Sequence, residues 1–358
     1  MKGKMRAQVF YEPHKMMMEE VEIPQISADE ILVKVSVCGI CGSDIAYYMG
    51  DSPVGTLTGK GPLILGHEIS GNVVEVGSIV KEKCFFQEGD RITINPVQAC
   101  SQCYACLKGK PNVCTNRKEI GVSVNGGFAE YVKCRYDTAY KLPKNLTFEE
   151  GAIIEPLACA TYGVKNLGLE TGDQCVLFGP GPIGLMMVQM IKCSGAASLI
   201  VIGTRDYRLE VAKKLGADRV FNIREKKSPY FVKDLKKEVD KFTNGLMADK
   251  AICMTSSIQA MEDALELTGT AGKIVYFGLP GPEDILKIPI LKTHLQDKTI
   301  RFSFLAPFTW LQAIQVAEKR IVSLDKLITH RFHLDDTPKG LIMNRERVDF
   351  VIKAVVVI

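Results

Sequence analysis

The chain of 358 residues has no marked excess of either charge: 45 Lys and Arg stand against 41 Asp and Glu, a formal net of +4. That balance, with no basic block interleaved with aromatics, argues against a nucleic-acid partner. Low-complexity tracts and repeats of fixed period are also missing, so the chain does not read as a linker or a solenoid. The opening "MKGKMRAQVFYEPHK" lacks the apolar core of a secretory leader. The longest apolar stretch, "CVLFGPGPIGLMMVQMI" at 175–191, is broken by two prolines and three glycines, and so does not read as a membrane span. The expectation is a cytoplasmic protein with neither a membrane nor a nucleic acid as partner.

Cysteine, in contrast, is plentiful. Twelve would mean disulfides in a short secreted chain, but here there is neither a secretion signal nor small size. In a reducing compartment thiols stay free, and closely spaced ones hold a metal more often than not. Four fall within fifteen residues, whereas Cys84, Cys134, Cys193 and Cys253 are scattered and read as inert thiols. A second pair, Cys38 and Cys41 in "VCGICGSDIAYYMG", is open to three readings from spacing alone: redox pair, metal site or core packing.

The length suggests two domains, each with enough chain for a core. Residues 1–155 read as β-rich, with "RAQVFY", "EILVKVSVCG", "GNVVEVG", "DRITINP" and "FAEYVKC" as strands between Gly, Pro, Asn and Asp. From about 174, buried-type strands "QCVLFG", "SLIVIG", "DRVFNI", "DKAICM" and "KIVYFG" alternate with helical segments. Such alternation implies right-handed crossovers and a doubly wound parallel sheet, so the fold class is α/β with a separate β-rich domain. After 298 the alternation fades into an edge strand "KTIRFSFL", a helix "TWLQAIQVAEKR" and a last strand "DFVIKAVVVI".

Directly after the first of these parallel strands, Gly179, Gly181 and Gly184 form G-x-G-x-x-G at a helix start. The first permits a tight turn, the second lets a pyrophosphate approach the backbone, and the third lets helix and strand pack closely. The helix N-terminus offers free N–H donors and about half a positive charge. Pro182 in its first turn costs little, because its missing N–H had no partner to lose. Gly179, Gly181, Pro182, Ile183 and Gly184 are therefore the expected phosphate contacts. The second strand ends in Gly203, Thr204 and Arg205, where an NAD-binding chain offers Asp or Glu to the ribose. Without that carboxylate, and with Arg205 able to pair with a 2′-phosphate, NADP is favoured over NAD. The competing reading gives the ribose to Asp206 and leaves Arg205 as a solvated charge.

"CSQCYACLKGKPNVC" places Cys100, Cys103, Cys106 and Cys114 as C-x2-C-x2-C-x7-C. Four thiolates about 2.3 Å from one ion suit tetrahedral zinc with no open position, hence a structural site. Elsewhere His67 and Glu68 in "LILGHEISG", Glu155 and Cys159 in "IIEPLACATYG", and the thiols of "CGICGSD" supply a thiolate, an imidazole and carboxylates. That is the donor set catalytic zinc uses with one position left open.

"CGICGSD", "GHEISGNVVEVG", the four-cysteine segment, "EPLACATYG" and "GPGPIG" stand in the order seen in zinc-dependent medium-chain alcohol dehydrogenases. The chain most resembles their sorbitol (polyol) dehydrogenase branch, over nearly its whole length. The resemblance implies a GroES-like β-rich catalytic domain (1–156), a Rossmann domain (157–297) and a return segment (298–358) completing the first. It implies zinc ligation by Cys41 and His67, with the third ligand open between Glu68 and Glu155, and leaves Cys38 as packing. It makes Asp44 the group orienting His67 and Ser43 the hydroxyl that passes on the proton, with Tyr47 at the pocket. Many relatives carry histidine where Ala46 stands. The implied activity is hydride transfer between a polyol or other secondary alcohol and NADP or NAD, in a homodimer or homotetramer, with one catalytic and one structural Zn²⁺. An amino-alcohol dehydrogenase of the threonine type, or a non-catalytic nucleotide-binding protein on the same fold, are the alternatives. Phe302, Phe304, Phe308 and Trp310 are expected in a pocket wall or in core packing.

Overall fold

The computed structural model describes residues 1–52 and 61–358. The chain divides into two compact units, one of residues 1–158 and 307–358 and one of residues 159–306.

The first unit carries β1 (Lys4–Glu12), β2 (Lys15–Glu22), β3 (Glu30–Gly39), β4 (Leu63–Ile64), β5 (Glu68–Val76), β6 (Arg91–Ile94), β7 (Val97–Gln98), β8 (Lys118–Glu119), β9 (Tyr131–Arg135) and β10 (Ala139–Lys141). The second carries β11 (Gln174–Phe178), β12 (Ser198–Gly203), β13 (Arg219–Asn222), β14 (Ala248–Cys253), β15 (Thr268–Tyr276) and β16 (Thr299–Phe302). The chain then returns to the first unit with β17 (Ile328–His333) and β18 (Lys353–Val357).

In the first unit the main sheet runs β10-β6-β5-β3-β18-β17, with β9 also pairing β3. β3 is its spine. Its residues Ile31, Leu32, Val33, Val35 and Cys38 pack into a core with Val9, Phe10, Leu65, Ile69, Ile92 and Phe128. Burial on both faces explains why β3 reads as a nearly continuous apolar run rather than an alternating one. β18 joins antiparallel to β3, with Val355 opposite Gly39, so the chain's last strand is placed beside its third. Trp310 is buried and stacks on Tyr140 with ring centroids 5.4 Å apart. Of the aromatic run at 302–310, Trp310 thus serves core packing, while Phe302 and Phe308 are exposed.

In the second unit six parallel strands follow the order β13-β12-β11-β14-β15-β16. Counted within the unit this is 3-2-1-4-5-6, which reverses direction beside the first strand, the place where such sheets bind dinucleotides. The helix Pro182–Cys193 follows β11 directly, and its residues Gly184 to Ile191 are all buried. A helix apolar on every side belongs inside the unit. The expected return at residue 298 is corrected here: β16 pairs parallel with β15 along Lys273 to Tyr276, so it completes the parallel sheet and the chain leaves this unit only at Pro307. Its exposed residues gave no buried-strand signal, which is how an edge strand escapes a reading based on apolar runs.

Candidate metal centre and dinucleotide cradle

β3 ends at Gly39, and two residues later Cys41 precedes the helix Gly42–Met49. Asp44, in the first turn of that helix, is wholly buried. Its Oδ2 accepts the Cys41 N–H at 2.9 Å and its Oδ1 accepts the Gly66 N–H at 3.1 Å. One carboxylate therefore ties the Cys41 loop to the loop that leads into β5. His67 follows Gly66, and Glu68 begins β5 directly opposite Gly39.

This folding brings donor atoms of Cys41, His67 and Glu68 within 4.8 Å of one another. His67 Nδ1 lies 3.4 Å from Asp44 Oδ1, an ion-pair distance without the alignment of a hydrogen bond, and Ser43 Oγ lies 3.4 Å from His67 Nε2. Burial by itself favours neutral imidazole. Asp44 and Cys41 outweigh it and hold His67 well above the ordinary histidine range. A site this dry and this rich in anions calls for a cation. Glu68 Oε2 is buried without a hydrogen-bond partner among the described residues, while Oε1 accepts from Lys353 Nζ at 2.5 Å. The donor set and the orphaned oxygen fit a divalent metal ion. Glu68, rather than Glu155, joins Cys41 and His67 in this cluster. Glu155 sits buried in the first turn of the helix Ile154–Leu167, near enough to stabilise the Lys353 ammonium.

Cys38 is wholly buried in β3, and burial pushes its thiol well above the usual value. A methyl on Gly66 would come within 2.7 Å of its Sγ. Its place is under the His67 turn as packing, with no exposed thiol to pair with Cys41. Tyr47 is buried in the same helix as Asp44, its phenol raised by burial and by Glu119, against a hydrogen bond with Ser52. Glu119 was not singled out in the sequence, and no motif would have marked it. Ala46 lies half-buried in the same helix.

Cys100, Cys103, Cys106 and Cys114 form a second group within 4.8 Å. The Cys103 sulfur lies 3.6 Å from that of Cys106 and 3.8 Å from that of Cys114. A disulfide needs about 2.05 Å. Tetrahedral zinc with Zn–S of about 2.3 Å places sulfurs roughly 3.8 Å apart, and these distances match it. Backbone N–H groups of Cys106 and Thr115 pull the Cys103 thiol down to about 5, toward the thiolate a metal requires.

In the second unit, Gly179 has φ +90° and Gly184 packs so tightly on the Gly179 carbonyl that a methyl would collide with it. Gly181 differs. The nearest atom to a methyl there is Arg208 Nη1 at 3.9 Å, so nothing among the described residues requires glycine, and the open backbone fits an approaching phosphate. Pro182 opens the helix and Ile183 follows it. Gly203 would crowd Pro180 at 3.0 Å if it bore a side chain, so its identity has a packing cause of its own. Thr204 is half-buried and Arg205 is exposed just past the strand end. Asp206 accepts from Asn222 at 2.6 Å and from Ser228 at 2.7 Å, both through the same oxygen. Arg208, beside Gly181, carries no sequence signal of its own because it is the third residue of a helical pattern.

A β-rich unit with two metal-ligand clusters, and a parallel-sheet unit with a dinucleotide cradle, define a metal-dependent, nicotinamide-dependent oxidoreductase. Residues 27–144 match the family model of the alcohol dehydrogenase GroES-like domain, and residues 182–319 that of zinc-binding dehydrogenase. The chain is 33% identical to sorbitol dehydrogenase of Bacillus subtilis (strain 168) over 94% of this chain and 92% of that one. A zinc-binding dehydrogenase of Sinorhizobium meliloti 1021 bound to NADP shares its fold with TM-score 0.89, at 27% identity and over 99% and 100% of the two chains. An alcohol dehydrogenase of E. coli CFT073 complexed with NADH has TM-score 0.89, 29% identity and 99% coverage of both chains. The chain belongs to the zinc-dependent medium-chain alcohol dehydrogenase family, as a member similar to the sorbitol dehydrogenases. Its cofactors are zinc and NAD(P). No helix among the described residues is long and apolar enough to cross a membrane.

Replacing Asp44 with alanine leaves the N–H groups of Cys41 and Gly66 unpaired. The expected loss is about 1–3 kcal/mol for each group, read as a lower urea midpoint with unchanged slope.

Proposed function

We propose that the chain oxidises a polyol or related secondary alcohol to the ketone with NADP, and runs the reverse reduction. Cys41, His67 and Glu68 hold the catalytic zinc, and Cys100, Cys103, Cys106 and Cys114 hold a closed structural one. The observation that carries this is the Cys41–His67–Glu68 cluster, with one buried carboxylate oxygen lacking a partner among the described residues and the Ser43 hydroxyl beside the imidazole. The likeness to sorbitol dehydrogenase supports the polyol class.

Oxidation removes a proton from the hydroxyl and a hydride from its carbon, leaving a carbonyl. Zinc in this cluster supplies a Lewis acid that acidifies the hydroxyl, and nicotinamide supplies the hydride acceptor. Ser43 takes the hydroxyl proton toward solvent, and Asp44 holds His67 in place as a ligand. Glu155 adds an outer negative charge, and Tyr47 borders the substrate. Gly179, Gly181, Pro182, Ile183 and Gly184 receive the pyrophosphate. Thr204 and Arg205 receive the 2′-phosphate, and Asp206, occupied by Asn222 and Ser228, leaves that role to them. With Gly203 explained by packing, the NADP preference rests on Arg205.

The partner is a second copy of the chain, in a dimer or tetramer. The outer edge of β16 is unpaired within the described chain, and Phe302, Leu279, Ile290, Leu291 and Leu295 stand exposed in its unit. Such an edge invites pairing. The free thiols agree with a cytoplasmic setting.

Metal analysis should find two zinc equivalents per chain. A spectrophotometric screen of polyols, secondary alcohols and L-threonine with both cofactors should give its highest kcat/KM for a polyol with NADP. One equivalent of zinc, or turnover confined to L-threonine, overturns the reading. Arg205→Ala should weaken NADP by about tenfold to a hundredfold and NAD hardly at all, since only the former loses a charge-assisted bond. Light scattering should report a dimer or tetramer, and Phe302→Asp should shift it toward the monomer.

A further inference from the structure

Lys353 opens β18 and is only 3% exposed. An ammonium so deeply buried needs compensation, and Lys353 has two acceptors: the Ile40 carbonyl at 2.8 Å and Glu68 Oε1 at 2.5 Å. Glu68 is itself wholly buried. Opposite it in the β3–β5 ladder stands Gly39, and a methyl on Gly39 would collide with Glu68 Oε2. The missing side chain at 39 is the space into which that oxygen folds. Oε2 has no hydrogen-bond partner among the described residues, though a buried carboxylate oxygen without one is costly. Three strands thus meet on one carboxylate: β5 supplies it, β3 leaves room for it, and β18 brings the cation.

We propose that Lys353 is a positioning residue, clamping Glu68 Oε1 so that only Oε2 is presented to a metal held with Cys41 and His67. The inference rests on the metal assignment above and adds to it the reason the carboxylate binds through one oxygen. A lysine present only to neutralise a buried acid has no need of the Gly39 gap or of an oxygen left bare. The clamp also places a positive charge close to a divalent cation. It therefore weakens metal binding while it holds the ligand in a single geometry.

Lys353→Met removes the charge and keeps most of the stem. In the cobalt-substituted protein its visible bands should shift and weaken, because Glu68 is released to bind through both oxygens and the coordination number rises. The bands of the four-thiolate lobe serve as an internal reference. A chelator should strip the cluster's metal about tenfold more slowly than from the parent protein, within the range by which groups behind metal ligands tune affinity. Lys353→Arg should restore the parent spectrum and rate. In a Glu68→Gln background, Lys353→Met should leave the cobalt bands unchanged, and this double variant, free of an unpaired buried acid, guards against failure of the single one to fold. Unchanged bands and stripping rate in Lys353→Met overturn the proposal. So does the same change in the Glu68→Gln background, or faster stripping with unchanged bands, which marks a merely structural lysine. A parent protein that takes up only one metal equivalent overturns the metal assignment itself, and the clamp with it.

Discussion

The Asp44 carboxylate, buried and accepting from the backbone N–H groups of both Cys41 and Gly66, is the constraint on which the first unit's chemistry depends. Without it the Cys41 loop and the Gly66 loop have no common reference, and donor atoms from β3's end and β5's start need not converge. The same carboxylate stands 3.4 Å from His67 and sets the sign of the local field. A buried acid of this kind is tolerable because its hydrogen bonds are charge-assisted and its neighbours include an imidazole. The cost of gathering Asp44, Glu68 and Cys41 in a dry place is offset in part by the Lys353 ammonium from the last strand, and in the proposed reading by a metal at Glu68 Oε2.

The two units use glycine for opposite ends. Around the metal centre, Gly39 and Gly66 are small because protein atoms occupy the space a side chain would need: Glu68 Oε2 above the one, Cys38 Sγ beneath the other. In the dinucleotide cradle, Gly184 follows the same rule, whereas Gly181 has almost nothing near it. A glycine without an internal cause leaves its backbone open to an approaching ligand, and in the proposed reading Gly181 serves that end. Gly203 looked like the second such case from the sequence, as the absence of a ribose-binding acid. The atoms of Pro180 and Leu209 that a side chain there would meet show a cause within the fold, so the proposed NADP preference rests on the charge of Arg205.

Much of this was legible from local pattern. The parallel-sheet unit announced itself through short apolar strands between helical segments, and the phosphate loop through glycine spacing at a strand end, because backbone geometry within a few residues dictates both. The four clustered thiols were equally plain, and their sulfur separations of 3.6 and 3.8 Å are those a tetrahedral ion requires. The exposed edge strand β16 was misassigned to the return segment because an edge needs no apolar run. The aromatic run at 302–310 could not be sorted by composition, since the same residue type is buried at 310 and bare at 302 and 308.

By itself the sequence determined the local devices: which stretches are strands, which turn can receive a phosphate, and which cysteines lie close enough to share one ion. Tertiary structure alone decided which carboxylate stands with Cys41 and His67. Glu68 and Glu155 were equal on paper, but β5 pairs with β3 so that Glu68 folds over Gly39 toward the cluster. It also decided that Lys353, in a stretch reading simply as a hydrophobic strand, meets a carboxylate 285 residues away. Strand pairing over that distance is set by the whole core's packing, and no window of neighbouring residues contains it.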